Sequence, residues 1–238
     1  MDNITEAKLA VAVDDGTMNG FLATPASGSG PGIVMLQEIF GVNEAMRAKA
    51  REFASRGFTV LVPDLFWRQE PDVDLGYDED SRAKGFRLMQ GFDFDKGVAD
   101  CRAAFAALAQ HPSCTASPAI VGYCMGGKLA VLLGAVEPEA RAVVAFYGVK
   151  LNENIEQIKA TRAPVMLHFG DRDAHIPNEV SEMLRDTFKD TEGVDVFIYP
   201  GAQHGFFNPV RQSVFDPGAS EKAMERTLAL LNGKSTRA

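Results

Sequence analysis

The chain has 238 residues, with 24 Lys and Arg against 32 Asp and Glu, for a formal net charge of −8. That length suffices for one large domain or two small ones, with a core that needs no disulfide or metal staple. The acidic balance excludes the basic field that nucleic acid or an anionic membrane requires, while a few local arginines can still receive an anionic substrate.

In chain order, Leu9 to Val13 and Gly20 to Thr24 read as two short strands, with the turn signal Asp14-Asp15-Gly16 between them. Pro25 to Gly32 is a Gly/Ser/Pro loop that precedes a strand, so its glycines are no dinucleotide fingerprint. Ile33 to Leu36 is a buried strand, followed by Gln37-Glu38-Ile39-Phe40-Gly41. Asn43 caps a predicted helix to about Ser55, which Gly57 ends. Thr59 to Val62 is a strand closed by Pro63, and Asp64 to Tyr77 is irregular. Helices are predicted over Glu79 to Gln90 and Phe94 to Ala109, the second with an apolar stripe of Val98, Cys101, Phe105 and Leu108. A short apolar run from Ser117 to Val121 leads into Gly122-Tyr123-Cys124-Met125-Gly126-Gly127 and a helix over Lys128 to Val136. Further strands are predicted at Ala142 to Tyr147, Val165 to Phe169 and Val194 to Tyr199, with helices at Asn178 to Lys189 and Ala219 to Leu231. The alternation implies a parallel sheet with helical crossovers, and no linker is long enough to split the chain, so one α/β domain over 1–238 is expected.

The six residues from Gly122 to Gly127 carry the chemistry. G-x-C-x-G between a strand and a helix is the pattern of a nucleophile elbow, with sulfur in place of the usual serine oxygen. A thiol is only slightly ionised at neutral pH and needs a base. In the α/β-hydrolase order an acid and then a histidine follow the nucleophile. Here Gly170-Asp171-Arg172-Asp173-Ala174-His175-Ile176-Pro177 follows one strand and Gly201-Ala202-Gln203-His204-Gly205-Phe206 follows the next. Both segments lie past the carboxyl ends of strands, where open α/β sheets bind ligands. Asp173 or Asp171 would orient the imidazole of His204, which would act as base toward Cys124. Asp171 also has a turn role after Gly170, His175 stands near a helix start, His168 sits in an apolar strand and His111 precedes a proline in a loop. Gly122 to Lys128 also spells most of a phosphate-binding loop, but Leu129 stands where the Mg²⁺-binding hydroxyl belongs. Four scattered histidines and three cysteines show no metal-ligand spacing.

Cys101, Cys114 and Cys124 are an odd, sparse set that fits a reducing compartment. Met1 to Glu6 has no basic region followed by an apolar core, no run approaches the ~18 apolar residues of a membrane span, and the sequon at Asn3 has meaning only on secretion. The expectation is a cytoplasmic protein, monomeric or homodimeric, that binds a small molecule and neither nucleic acid nor membrane.

These motifs resemble the dienelactone hydrolase (carboxymethylenebutenolidase) family along nearly the whole chain. They are Gln37 to Asn43, Pro63-Asp64-Leu65, the elbow, Phe146-Tyr147-Gly148-Val149, Gly170 to Pro177 and His204-Gly205-Phe206. The resemblance implies an α/β-hydrolase fold, a mostly parallel twisted sheet with helices on both faces. It also implies hydrolysis of a small carboxylate-bearing lactone such as dienelactone, without cofactor or metal, in aromatic compound degradation. Its triad falls on Cys124, Asp173 and His204, with Glu38 as the partner of the thiol. Oxyanion donors are expected at the N–H groups of Met125 and Ile39. Arg82 corresponds to a substrate-carboxylate arginine, and Phe40, Phe86 and Tyr147 are expected beside the substrate. The family's second arginine corresponds to Asn208 here, and Arg211 either replaces it or lies on the surface. Alternatives are an esterase or lactonase for another small substrate, and a thiol redox sensor that hydrolyses nothing.

Overall fold

A computed structural model describes residues 4–234, so the sequon at Asn3 and the reading of the first three residues lie outside the described residues. The chain divides into two compact units, Met1–Ala119 and Ile120–Ala238.

In the first unit, β1 (Thr5–Val13) and β2 (Gly16–Thr24) form an antiparallel hairpin paired from Thr5↔Thr24 to Val13↔Gly16. Both strands are longer than the sequence suggested. Their added ends, Thr5 to Lys8 and Gly16 to Asn19, are exposed apart from the buried Met18 and the half-buried Asn19 and show no apolar run, so cross-strand pairing rather than a core pattern extends them. β3 (Gly32–Leu36) and β4 (Thr59–Pro63) are parallel and entirely buried, β4 also pairs antiparallel with β2, and the order is β1-β2-β4-β3. Strands buried on both faces read as continuous apolar runs, which is why Ile33 to Leu36 and Thr59 to Val62 were legible.

Three helices belong to this unit. α1 (Glu44–Ser55) starts where Asn43 Oδ1 accepts the Met46 N–H at 3.2 Å and gives way to Gly57 at φ +93°. α2 (Glu79–Gln90) is capped by Asp78, which accepts the Ser81 N–H at 2.9 Å. α3 (Phe94–Ala109) is capped by Asp93, and Cys101, Phe105 and Leu108 of its apolar stripe are buried.

The second unit is a parallel ladder of β5 (Ala119–Tyr123), β6 (Val143–Phe146), β7 (Val165–Gly170) and β8 (Val194–Tyr199), in that order. Its helices are α4 (Met125–Val136), α5 (Ile155–Ala160), α6 (Asn178–Phe188) and α7 (Pro217–Leu231). α4 starts three residues before the expected Lys128, because the turn is complete at Cys124 and the two following glycines are already helical. α5 and the 3₁₀ turn Leu151–Asn154 before it had no sequence signal, being short and without a side-chain cap. The two strand orders, with helices between strands, are those of the α/β-hydrolase fold.

Candidate active site

Cys124 is the single residue between β5 and α4, at φ +55° and ψ −115°, a conformation that side-chain-bearing residues rarely adopt. Hydrogen bonds hold it there. Its N–H donates to the Phe146 carbonyl at 3.0 Å, and its own carbonyl accepts from Gly127 at 3.0 Å, Lys128 at 3.3 Å and Val149 at 3.3 Å. Met125 is the first residue of α4, so its N–H has no acceptor within the helix. Gly122 is required because a Cβ there would overlap the Gly126 carbonyl, and a Cβ at Gly127 would come 2.7 Å from the Gly148 Cα. Both obstacles are backbone and cannot swing away. Gly122→Ala is therefore expected to cost about 3 kcal/mol of stability, read as a lowered urea midpoint, or to leave no soluble protein.

Two glycine-flanked loops bring the other groups together. Asp173, three residues past the end of β7, accepts the His175 N–H at 2.7 Å and the Ile176 N–H at 2.9 Å on Oδ1. That leaves Oδ2 for the Nδ1 of His204, at 2.7 Å. His204 follows β8 through Gly201 and precedes Gly205, both at positive φ, and it also hydrogen-bonds the Cys124 side chain. Burial pulls the His204 pKa down. The sulfur charge and the Asp173 hydrogen bond outweigh it and hold the imidazole well above its usual range. Cys124, Asp173 and His204 are each 8–9 % exposed, so the chain of groups is shielded yet not sealed.

Asp171 does something else. Its Oδ1 accepts the Gly201 N–H at 2.7 Å, tying the end of β7 to the turn after β8. Of the two aspartates, the structure places Asp173 against the imidazole. His168 is fully buried, with Nδ1 2.9 Å from the Tyr199 hydroxyl and Nε2 3.1 Å from Thr227 Oγ1. His111 Nδ1 lies 2.7 Å from Ser113 Oγ in its own loop. Cys101 is sealed in α3, where burial pushes its thiol pKa up.

Two ring contacts at His204 had no sequence signal. Tyr147, at φ +39°, is completely buried with its ring centroid 4.9 Å from that of His204, so it backs the imidazole. His175 is exposed and meets the same ring edge-on at 4.8 Å. Its place before α6 gave no sign of this contact, and only the fold of the Asp173 turn brings it to His204. Arg211 Nη1 lies 2.7 Å from where a Cβ on Gly205 would stand, while Asn208 is buried and its Oδ1 accepts the Val210 N–H at 3.1 Å.

The remaining candidates lie in the first unit. Glu38, Ile39 and Phe40 are 2–5 % exposed in the loop between β3 and α1. Gly41, at φ +77°, lets that loop lie on the Val73 carbonyl. Gly85 of α2 packs on the Ile39 carbonyl, 2.5 Å from where its Cβ would stand, and so sets α2 against the loop. On that helix Arg82 is exposed and Phe86 half-buried, while the Phe40 ring stands edge-on to Tyr77 at 4.6 Å. Among the described residues no cluster of three or more His, Cys, Asp or Glu could hold a metal ion. No described helix is long and apolar enough to cross a membrane.

The sequence model of the dienelactone hydrolase family matches residues 18–235. A carboxymethylenebutenolidase from Pseudomonas sp. (strain P51) is 34 % identical over 229 residues, covering 96 % of this chain and 95 % of that protein. A Bradyrhizobium sp. protein, provisionally named a 2-oxo-3-(5-oxofuran-2-ylidene)propanoate lactonase, is 30 % identical over 92 % of each chain. A solved structure from Klebsiella pneumoniae, provisionally described as a dienelactone hydrolase, superposes with a TM-score of 0.83 at 26 % identity, over 96 % of this chain and 98 % of that one. With the elbow and the hydrogen-bonded Asp173 and His204 in place, this match along both chains has one consequence: the chain belongs to the dienelactone hydrolase family.

Proposed function

We propose that this hydrolase opens a small carboxylate-bearing lactone, dienelactone or a close analogue, with Cys124 as nucleophile, His204 as proton carrier and Asp173 holding the imidazole. The observation that carries this reading is the hydrogen-bonded series from the Cys124 side chain through His204 to Asp173. The names of both curated relatives describe lactones, and each named substrate bears a carboxylate. A thiol sensor would need the sulfur but not an aspartate fixed by two backbone N–H groups behind an imidazole.

The chemistry follows from the groups. The thiolate of Cys124 attacks the lactone carbonyl carbon, a C–S bond forms, and the oxygen takes the negative charge. The Met125 and Ile39 N–H groups stabilise that oxyanion, each worth about 2.7–4 kcal/mol at the transition state. The ring C–O bond then breaks, the leaving oxygen takes the proton from the imidazolium of His204, and a thioester remains. His204, neutral again, removes a proton from water, whose attack releases the acid and restores the thiolate. Glu38 holds the thiol proton at rest until substrate displaces it. The raised His204 pKa favours the ion pair once the proton has moved. Residues 1–238 act as one catalytic domain in this reading, in a reducing cytoplasm where the thiol survives.

Arg82 provides the charge-assisted partner for the substrate carboxylate, with Phe40 and Phe86 as apolar neighbours, Arg211 as a second cation and Tyr147 behind the imidazole. Arg82→Ala is expected to raise KM for a carboxylate-bearing lactone about 10–100-fold. The hydrolysis of neutral p-nitrophenyl acetate should stay within about twofold. Steady-state kinetics on both substrates tests this, and an unchanged preference for the charged lactone points to a neutral ester or another lactone instead. The asparagine at 208 favours that second reading, because it removes one cation from the acid-binding set.

A further inference from the structure

Asp64 belongs to the Pro63-Asp64-Leu65 motif, and the mechanism above gives it no task. It is 2 % exposed, at the end of β4. Its N–H donates to the Asn19 carbonyl at 2.8 Å, and its carboxylate accepts the Phe66 N–H at 3.2 Å and the Asp72 N–H at 2.6 Å. Asp72 is held at φ +58°, unusual for a residue with a side chain. The next residues form a clamp. Asp74 bridges antiparallel to Gly41, the Leu75 N–H donates to the Phe40 carbonyl at 3.0 Å, and Asn43 Nδ2 donates to the Leu75 carbonyl at 2.9 Å. Arg47 Nη1 closes it by donating to the Val42 carbonyl at 2.6 Å and to Asp74 Oδ2 at 2.9 Å. The loop so clamped is the one that carries Glu38 and Ile39.

We propose that Asp64 is a positioning residue, whose ionised carboxylate pins Asp72 and thereby fixes the 73–75 segment that aligns the Ile39 N–H. The proposal rests on the reading of Ile39 as an oxyanion donor. An aspartate that must accept two backbone N–H groups does so best when ionised, since a protonated oxygen is a poorer acceptor. Burial is the largest influence on Asp64 and raises its pKa to about 6, against the two N–H bonds that lower it. The charge of Asp72 raises it further and that of Lys8 lowers it. Glu6, Arg47 and Asp74 also face Asp64, Asp72 and Lys8 around a cavity of about 430 Å³. Releasing the Asp72 N–H while Asp64 stays buried removes a bond that lowers its pKa, so protonation favours the released segment, and the clamp, complete at pH 7.5, loosens as pH falls through about 6.

The test measures kcat and KM for neutral p-nitrophenyl acetate from pH 5 to 8, with amide hydrogen exchange over 39–42 and 72–75, in wild type and Asp64→Asn. The neutral ester keeps Arg82 out of the readout. In wild type, kcat should fall and both segments should exchange about tenfold faster, after correction for intrinsic rates, as pH drops from 7.5 to 5. Asp64→Asn should lower kcat about 10²-fold at pH 7.5 with KM changed less than about threefold. It should also lack the limb near pH 6 and exchange fast throughout. Unchanged exchange or unchanged kcat in Asp64→Asn overturns the proposal. Should that variant not fold, flat kcat or flat exchange in wild type between pH 7.5 and 5 overturns it. Cys124→Ala separates the two readings. Hydrolysis that survives it overturns the thiol mechanism and the catalytic part of this proposal with it. A dead Cys124→Ala beside normal exchange in Asp64→Asn overturns the role of Asp64 alone.

Discussion

Cys124→Ala is expected to lower kcat/KM for lactone or ester hydrolysis by about 10⁴-fold or more while the protein stays folded. The reasons lie in the turn. The conformation of residue 124 is fixed by bonds from its own N–H and carbonyl to Phe146, Gly127, Lys128 and Val149, none of which involves the sulfur. Alanine keeps all of these and removes only the sulfur. His204→Ala should cost a comparable factor, because in the proposed mechanism His204 is the group that protonates the leaving oxygen and activates water. The double variant should be little worse than either single one, since groups that act as a unit lose their effect together. Initial-rate kinetics on the four proteins, with unfolding curves as the fold control, reads this directly. A Cys124→Ala protein within tenfold of wild type points to a different nucleophile, and strictly additive losses argue against coupled action of sulfur and imidazole.

Much of this architecture was legible because the local signals agree with one another. α2 and α3 fall on the predicted bounds Glu79 to Gln90 and Phe94 to Ala109, and each begins behind an aspartate that caps it, Asp78 and Asp93. The strands β3 to β7, apolar apart from Thr59 and His168, announce burial on both faces. What stayed hidden is what depends on partners distant in sequence. The hairpin ends are strands because each faces the other across the ladder, not because of their composition. Asp171 and Asp173 share one Gly-Asp-Arg-Asp stretch, and only the fold shows that the first receives the Gly201 N–H and the second the His204 ring. Tyr147 looked like a substrate contact from its motif, yet its complete burial makes it a wall behind the imidazole. No spacing rule could place Asp64 beneath Asp72, because that contact exists only through the irregular course of residues 64–77.

The second large effect concerns acid stability and turns on His168. Its ring is stacked between Phe146, at 4.6 Å, and Phe197, at 5.8 Å, with both nitrogens engaged by neutral hydroxyls. There is no carboxylate among those partners. Arg226, lying over the Phe197 ring at 4.1 Å, adds a positive charge nearby. Burial above all, and then Arg226, lowers the His168 pKa to about 3. The unfolded chain takes up this proton near pH 6.5 while the folded one refuses it until about pH 3. Between those values the unfolded state binds more protons, so stability is full above about 6.5 and is lost as pH falls toward 3. Taken over the whole window, the loss is about 5 kcal/mol, comparable to the total stability of many domains. Urea unfolding at pH 7.5, 6, 5 and 4 should therefore show the midpoint dropping steeply. His168→Gln can still bond the Tyr199 and Thr227 hydroxyls, but its amide does not titrate. It should be less stable than wild type by about 1–3 kcal/mol at pH 7.5, yet lose less as the pH falls, so that the two curves converge. Parallel curves across that range would assign the acid sensitivity to other groups and remove His168 from the account.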